Sequence, residues 1–384
     1  MLNNELFFQK NCTSAKKAKL TPQKTYEYYS YYDTINLLEI KRILEFISAI
    51  RSRHAISLVP IVIDLGKKQF EDKLCYVLLE SICYRLISQE KAKLTLRFEC
   101  KHNIYIEGIK QSCLLQLNGQ KNETERFKSK FKFDVYQSHF RRLLELKKYT
   151  PEKTSQTVQE VDTFLKNCGI QKEYSQNVSD VVGELIDNAI EHSKSDCLID
   201  IDVTNDYEKK SENSDSVYCG VNIVVMNFSD ILLETGIQTK IEVLQSQDMN
   251  TINVRYQKVL EAKKYHSKFW NEHYTENDFY IVTSFQHKIS SRLNKNSTGG
   301  TGLTCLIQAL EEKSDAYECH VLTGYRKIKF IKNLLFLDDE KWIGFNDSKN
   351  YITDTPDTSC IQDSGIYFPG TAYNLNFVVK REVI

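Results

Sequence analysis

The stretch Val181-Val182-Gly183-Glu184-Leu185-Ile186-Asp187-Asn188-Ala189-Ile190-Glu191-His192-Ser193 sets a carboxylate and a carboxamide one helical turn apart beside an apolar stripe. At about 100° per residue, Glu184, Asp187, Asn188, Glu191 and His192 share one arc, and Val178, Val182, Leu185, Ile186 and Ala189 share another. The apolar arc is expected to face a core, and the polar arc suits a metal-bound nucleotide. Upstream, Val158, Val161, Phe164 and Leu165 mark a preceding helix; downstream, residues 197–204 and 217–227 have the pattern of strands. The polar loop 205–216 joins those strands, so a helix pair leads into a hairpin.

Further along, residues 234–298 hold no obvious long strand, only an amphipathic stretch from Val254 to Trp270 and the apolar run Phe279–Val282. So long an excursion between a strand and a glycine cluster predicts a lid over about 234–298. The cluster is Asn294-Lys295-Asn296-Ser297-Thr298-Gly299-Gly300-Thr301-Gly302-Leu303, and it leads into an apolar helix from Leu303 to Leu310. Its glycines let backbone N–H groups approach an anion, and a helix start adds partial positive charge. Taken alone, such a cluster is more often a turn or an ordinary helix entry. Strands expected around 318–323, 327–331 and 372–379 close this half of the chain.

Toward the N-terminus, Leu58-Val59-Pro60-Ile61-Val62-Ile63-Asp64-Leu65 has the pattern of a buried strand, and Leu74, Leu78, Ile82 and Leu86 then follow helical spacing. A second strand at Leu94–Phe98 completes a βαβ unit. Between Lys121 and Thr150 charges are dense, and the spacing of Tyr136, Phe140, Leu143 and Leu144 predicts a short amphipathic helix ending near Tyr149-Thr150-Pro151. The domain boundary is expected there, dividing the chain into 1–150 and 151–384.

With 384 residues, 41% apolar and 27% charged, the chain is long enough for two ordinary domains with a sizeable core. Lys plus Arg and Asp plus Glu each total 51, so no net field recruits nucleic acid or an anionic membrane. Neither is expected as a partner. The eleven cysteines form no C-x-x-C pair, and their odd number argues against a complete disulfide framework. Residues 1–8 lack a charged region followed by a long apolar one, and nowhere do ~18 apolar residues run together. The expected compartment is the cytoplasm.

The order of these features, a Glu-x-x-x-Asn helix, a hairpin, a long excursion and a Gly-Gly-Thr-Gly-Leu helix start, resembles the GHKL ATPases. That superfamily includes DNA gyrase, a major heat-shock chaperone, sensor histidine kinases and mismatch-repair proteins. ELIDNAIEHS (184–193) matches its N-box and GGTGL (299–303) its second glycine box, within a resemblance covering roughly Val158 to Val379. It implies an α/β (α+β) fold class with a C-terminal Bergerat-type α/β sandwich. It also implies ATP and Mg²⁺ as cofactors, Asn188 as the Mg²⁺ ligand and Glu184 as general base. Hard oxygen ligands suit Mg²⁺, and a carboxylate one turn away can reach a nucleophile aligned on the γ-phosphate. Thr301, Gly302 and Leu303 would offer N–H groups to phosphates, and Thr298, Gly299 and Gly300 would form the flexible lid end. Thr371, in Phe368-Pro369-Gly370-Thr371, matches the threonine near adenine on the family's closing strand.

The departure comes at Asn227-Phe228-Ser229-Asp230-Ile231, where the family carries an aspartate followed by glycines. Asn227 takes the aspartate position, and can accept from the adenine amine while offering a donor to a ring nitrogen. Ser229 and Ile231 replace glycines, which puts the usual turn in question. His139, in Ser138-His139-Phe140-Arg141-Arg142, is not expected to be a phosphoacceptor: no proline follows closely, and Glu184 comes too soon for a dimerisation hairpin. It is expected on the surface or in packing.

AIEHS (189–193), ECHVLTG (318–324) and FPGT (368–371) resemble bacterial anti-sigma serine kinases, which work beside STAS partners. The stretch from Ile61 to Leu86 is similar to a STAS strand-to-helix turn, although an ordinary α/β domain explains it as well. The expected function is an ATP-binding regulatory protein, a Mg-dependent ATPase or protein serine kinase acting as a switch with a protein partner. The alternatives are an ATP-binding interaction module with little turnover, and an α/β protein that has lost nucleotide binding. Whether the protein forms a homodimer stays open.

Overall fold

The computed structural model describes residues 5–12, 18–99, 104–118, 123–204, 217–290, 306–307 and 319–381. The chain begins with the short helix α1 (Leu6–Gln9), strands β1 (Tyr26–Tyr29) and β2 (Thr34–Ile35), and helix α2 (Leu37–Arg51). Asn36 caps α2, its side chain accepting from the Glu39 N–H. Next come β3 (Pro60–Gly66), β4 (Gln69–Phe70), α3 (Lys73–Ser88, capped by Asp72) and β5 (Lys93–Phe98). Strands β3 and β5 pair in parallel with α3 between them in sequence, the βαβ arrangement that the apolar spacing anticipates. Strand β1 adds to the other side of β3, giving the order β1-β3-β5, while β2 and β4 form a separate parallel pair.

Helix α4 (Thr124–Lys132) leads into β6 (Phe133–Tyr136) and β7 (His139–Leu144). The amphipathic helix expected through Tyr136, Phe140 and Leu144 is therefore a strand pair. Helices α5 (Pro151–Asn167) and α6 (Lys172–Asp187) precede β8 (Cys197–Thr204) and β9 (Val217–Asn227). Three helices follow, α7 (Thr235–Gln245), α8 (Val254–His266) and α9 (Glu276–Ser284), and then β10 (Cys319–Phe330) and β11 (Ile361–Arg381). The large sheet is antiparallel throughout, in the order β10-β11-β9-β8-β7-β6. Its β6 and β7 come from before residue 150, so this sheet spans the expected division of the chain at that point.

Strand alternation sends odd-numbered residues of β8, β9 and β11 to one face and even-numbered ones to the other. On the first face Ile199, Ile223, Val225, Tyr373 and Leu375 share a core with Val161 of α5 and Val182 and Ile186 of α6. Ile241, Val259, Phe279 and Val282, from α7 to α9, extend the same core together with Trp342, Phe345 and Tyr351. The stretch expected as a lid is thus, from 235 to 284, three helices with buried faces. On the opposite face Leu198, Val224, Met226, Leu322 and Ala372 pack against Ile43 and Ile47 of α2 and Leu74 and Val77 of α3. Helices α2 and α3 touch both sheets, so the layers run small sheet, helices, large sheet, helices.

The described cysteines are unpaired, and most are buried. Among the described residues no helix is long and apolar enough to cross a membrane.

Candidate functional site

Helix α6 carries the first expected residues. Its apolar arc is buried as the spacing requires, with Val178, Val182, Leu185 and Ile186 in the core and Glu184 exposed. Helix α5 holds it closely: a Cβ on Gly183 would fall 2.8 Å from Val158 Cγ2, so a side chain there would have to displace Val158. Two hydrogen bonds fasten the ends of the contact. Ser175 Oγ donates to Asp162 Oδ1 at 2.7 Å, and Thr154 Oγ1 donates to Asp187 Oδ1 at 3.2 Å. Asp187, counted on the chemical arc, thus also holds α6 to α5.

From Asn188 to His192 the helix widens into a single π turn. Such turns occur often at functional sites. The wider turn also alters the angular step, so the arc drawn at a constant 100° per residue does not carry through to Glu191 and His192. Asn188 is half-buried where the π turn starts, one turn from Glu184.

The second part of the site lies at the end of β9. Asn227 pairs in register with Thr371 of β11, and Thr371 pairs with Thr323 of β10, so the three form a row across the sheet. Alternation puts them on the α6 face. Asn227 and Thr371 are both buried. The Thr371 N–H donates to Asn227 Oδ1 at 3.3 Å, while Asn227 Nδ2 is buried with no acceptor among the described residues. Gly370 makes the approach possible: at φ +98° it avoids placing a Cβ 2.5 Å from the Asn227 carbonyl oxygen and 2.9 Å from the Ser229 nitrogen.

Ser229 closes the turn with its side chain. Its hydroxyl accepts from the Ile231 N–H at 3.0 Å and donates to the Ser193 carbonyl at 2.8 Å. That second bond ties the end of ELIDNAIEHS to the end of β9, so two of the three sequence boxes meet. The third does not enter the comparison, because Thr298, Gly299, Gly300, Thr301, Gly302 and Leu303 lie outside the described residues. Of the helix expected from Leu303 to Leu310, Leu306 and Ile307 are described, both buried in the α6-side core.

Two residues of this face were not singled out from the sequence. Glu234, before α7, is buried near Thr323, whose hydroxyl approaches Glu234 Oε2 at 3.5 Å and accepts from the Leu233 N–H at 3.1 Å. Burial pushes its carboxyl up to about 7. Tyr373 lies two residues beyond Thr371 and is buried, its hydroxyl without a partner among the described residues. The period of two along β11 would have pointed to Tyr373 once Thr371 was chosen; nothing local marks Glu234.

The opposite face holds a different polar cluster. Lys73 and Glu80 of α3 meet His139 and Arg141 of β7 and Asp200 and Asp202 of β8, all buried. Lys73 contacts Asp200 and Asp202, and Arg141 contacts Asp200 and Glu80. His139 lies between Asp200 Oδ2 at 3.1 Å and Asp134 Oδ2 at 3.2 Å. Burial alone would lower its pKa, but Asp200 and Asp134 outweigh it and raise the imidazole to about 9. Asp200 is desolvated too, yet Arg141, Lys73 and His139 hold it well below the usual carboxylate range. His139, Asp200 and Asp202 present ligand atoms within 4.8 Å of one another, a spacing a metal would accept. The Lys73 ammonium touches both carboxylates and already supplies the cation, so the donor set is committed to an ionic cluster. His139 is therefore a packing residue and not a surface one.

No protein-family model, curated protein or solved structure matches the chain significantly.

Proposed function

We propose that the protein is an ATP-binding regulatory protein of the GHKL type. The purine nucleotide lies between the α6 π turn and the ends of β9 and β11, and nucleotide occupancy is read by a protein partner. The observation that carries this reading is the buried Asn227 amide, which shares its oxygen with Thr371 and has a nitrogen awaiting an acceptor. Support comes from the Ser229–Ser193 bond, which brings the Glu184–Asn188 turn to the same end of the sheet.

In this reading Asn188 contributes an amide oxygen to Mg²⁺, a hard ligand for a hard cation. The metal, when bound, offsets phosphate charge. Glu184, exposed one turn earlier, accepts the proton of a water or a protein serine as it attacks the γ-phosphate. Asn227 and Thr371 hold the base. The N-terminal α/β unit, with its STAS-like turn, packs on the back of the same sheet and so receives any movement of the β9 and β11 ends. A binding module with little turnover is the second reading, favoured by Asn227 and Ser229 in place of the family's aspartate and glycine.

Thermal unfolding with and without Mg·ATP tests the proposal. Wild type is expected to melt at a higher temperature with nucleotide, and Asn188→Ala to lose most of the shift. No shift for wild type would sink both readings. Phosphate release then separates them: Glu184→Gln is expected to bind Mg·ATP but release phosphate on the order of 10²-fold more slowly. Equal release by wild type and variant would leave the binding module.

A further inference from the structure

Asn227 Nδ2 and the Tyr373 hydroxyl are both buried without a hydrogen-bond partner among the described residues. They belong to one neighbourhood. Asn227 stands opposite Thr371, so Tyr373, two residues on along β11, is its diagonal neighbour on the α6 face. Folded proteins seldom leave buried polar groups unpaired, and an exception calls for a ligand, a water or a function.

The chemistry of the pair follows from one bond. The Thr371 N–H can only donate, so the Asn227 atom facing it is the oxygen and the NH₂ group points away. The atom left without any partner among the described residues is a donor, the oxygen being already engaged by Thr371. An ionised aspartate at this position would only accept, and would therefore favour a 6-amino group on a purine. A donor has no such preference, since a ring nitrogen or a carbonyl oxygen satisfies it equally. The tyrosine hydroxyl, able to donate or accept, adjusts to either.

We infer that Asn227 and Tyr373 form the base-reading pair of the site, and that the pair takes 6-amino and 6-oxo purine nucleotides alike. The inference rests on the nucleotide-binding reading above and names its specificity. Tyr373 thereby becomes a binding residue and Asn227 a specificity residue.

The experiment is equilibrium binding of Mg·ATP and Mg·ITP to the full chain; the two nucleotides differ at the 6 position and in the attendant N1 proton. Wild type is expected to bind them with Kd values within about threefold of each other, and Asn227→Asp to shift the ratio toward ATP by about tenfold. Tyr373→Phe is expected to weaken both about tenfold, while the melting temperature of the free protein holds or rises because an unpaired hydroxyl is removed. A wild-type preference for ATP above about tenfold would overturn the inference and leave the nucleotide-binding reading standing. Unchanged affinities in Tyr373→Phe would do the same. Binding of neither nucleotide by wild type would overturn both. Should Asn227→Asp fail to fold, the wild-type ratio and Tyr373→Phe decide the matter.

Discussion

Two groups of buried polar side chains, on opposite faces of the large sheet, are satisfied in opposite ways. Toward α3, Lys73, Arg141 and protonated His139 meet Glu80, Asp200 and Asp202, so each charge touches its opposite. Asp200 Oδ1 and Asp202 Oδ1 make no hydrogen bond among the described residues, yet Lys73 contacts and neutralises both carboxylates. Toward α6, Asn227 and Tyr373 are neutral, equally buried, and each has a group with nothing to bond. A cluster that is internally neutralised is complete and serves cohesion: it joins the N-terminal helix layer to β7 and β8. The groups left unpaired at the meeting point of α6, β9 and β11 are the ones the proposed nucleotide would complete.

The contrast breaks most forcefully at Asp200. Asp200→Ala leaves Arg141, Lys73 and His139 short of an anion in the interior, and should cost about 3–5 kcal/mol in urea unfolding. A loss below 1 kcal/mol would mean that water reaches the cluster.

Next in size is the response to pH. His139 has its folded pKa raised from 6.5 to about 9, so its contribution is complete below about 6.5 and disappears as pH rises through 9. Stability should fall by about 3 kcal/mol over that window, and the fall should flatten in His139→Gln. Burial opposes the rise, and the neighbours that outweigh it are Asp200, Asp134 and Asp202; Lys73 and Arg141 are the cations packed against the same carboxylates.

On the α6 face, Gly370→Ala forces a side chain against the Asn227 carbonyl, and about 1–3 kcal/mol of stability should be lost together with nucleotide binding. Retained binding with lost stability would separate the turn from the site. The smallest stability effect is expected at Asn188→Ala, within about 0.5–1 kcal/mol without ligand. That change matters through the Mg·ATP shift it removes. A large loss in the free protein would make the π turn a structural element first.

Much of the architecture was legible. The spacing around Glu184 placed α6 and its buried arc, the βαβ pattern placed β3, α3 and β5, and the hairpin strands fell at 197–204 and 217–227. Residues 133–144 were misread because Phe140 and Leu144 lie four apart, a helical interval. The alternation that would have revealed β7 is masked by His139 and Arg141, charged residues facing a buried layer. Such residues look solvated until Glu80 and Asp200 are known to reach them. Within 235–284 the amphipathic stretch from Val254 to Trp270 marks α8, whereas α9 is hidden for a related reason: Phe279 and Val282 find their core partners at Trp342, Phe345 and Tyr351, far along the chain. Of the proposed site, Glu184, Asn188, Asn227 and Thr371 are legible in the sequence, whereas Tyr373 and Glu234 need the sheet.

The sequence alone determined which residues share a helix face or a strand face, because periodicity is a local consequence of backbone geometry. It therefore specified the Glu184–Asn188 spacing and the buried stripe beside it. Only the tertiary structure decided that Asn227 turns its oxygen to Thr371, 144 residues away, that Lys73 stands where a metal would fit, and that His139 holds its proton above neutral pH. Each depends on desolvation and strand register, and both arise only when distant segments pack together.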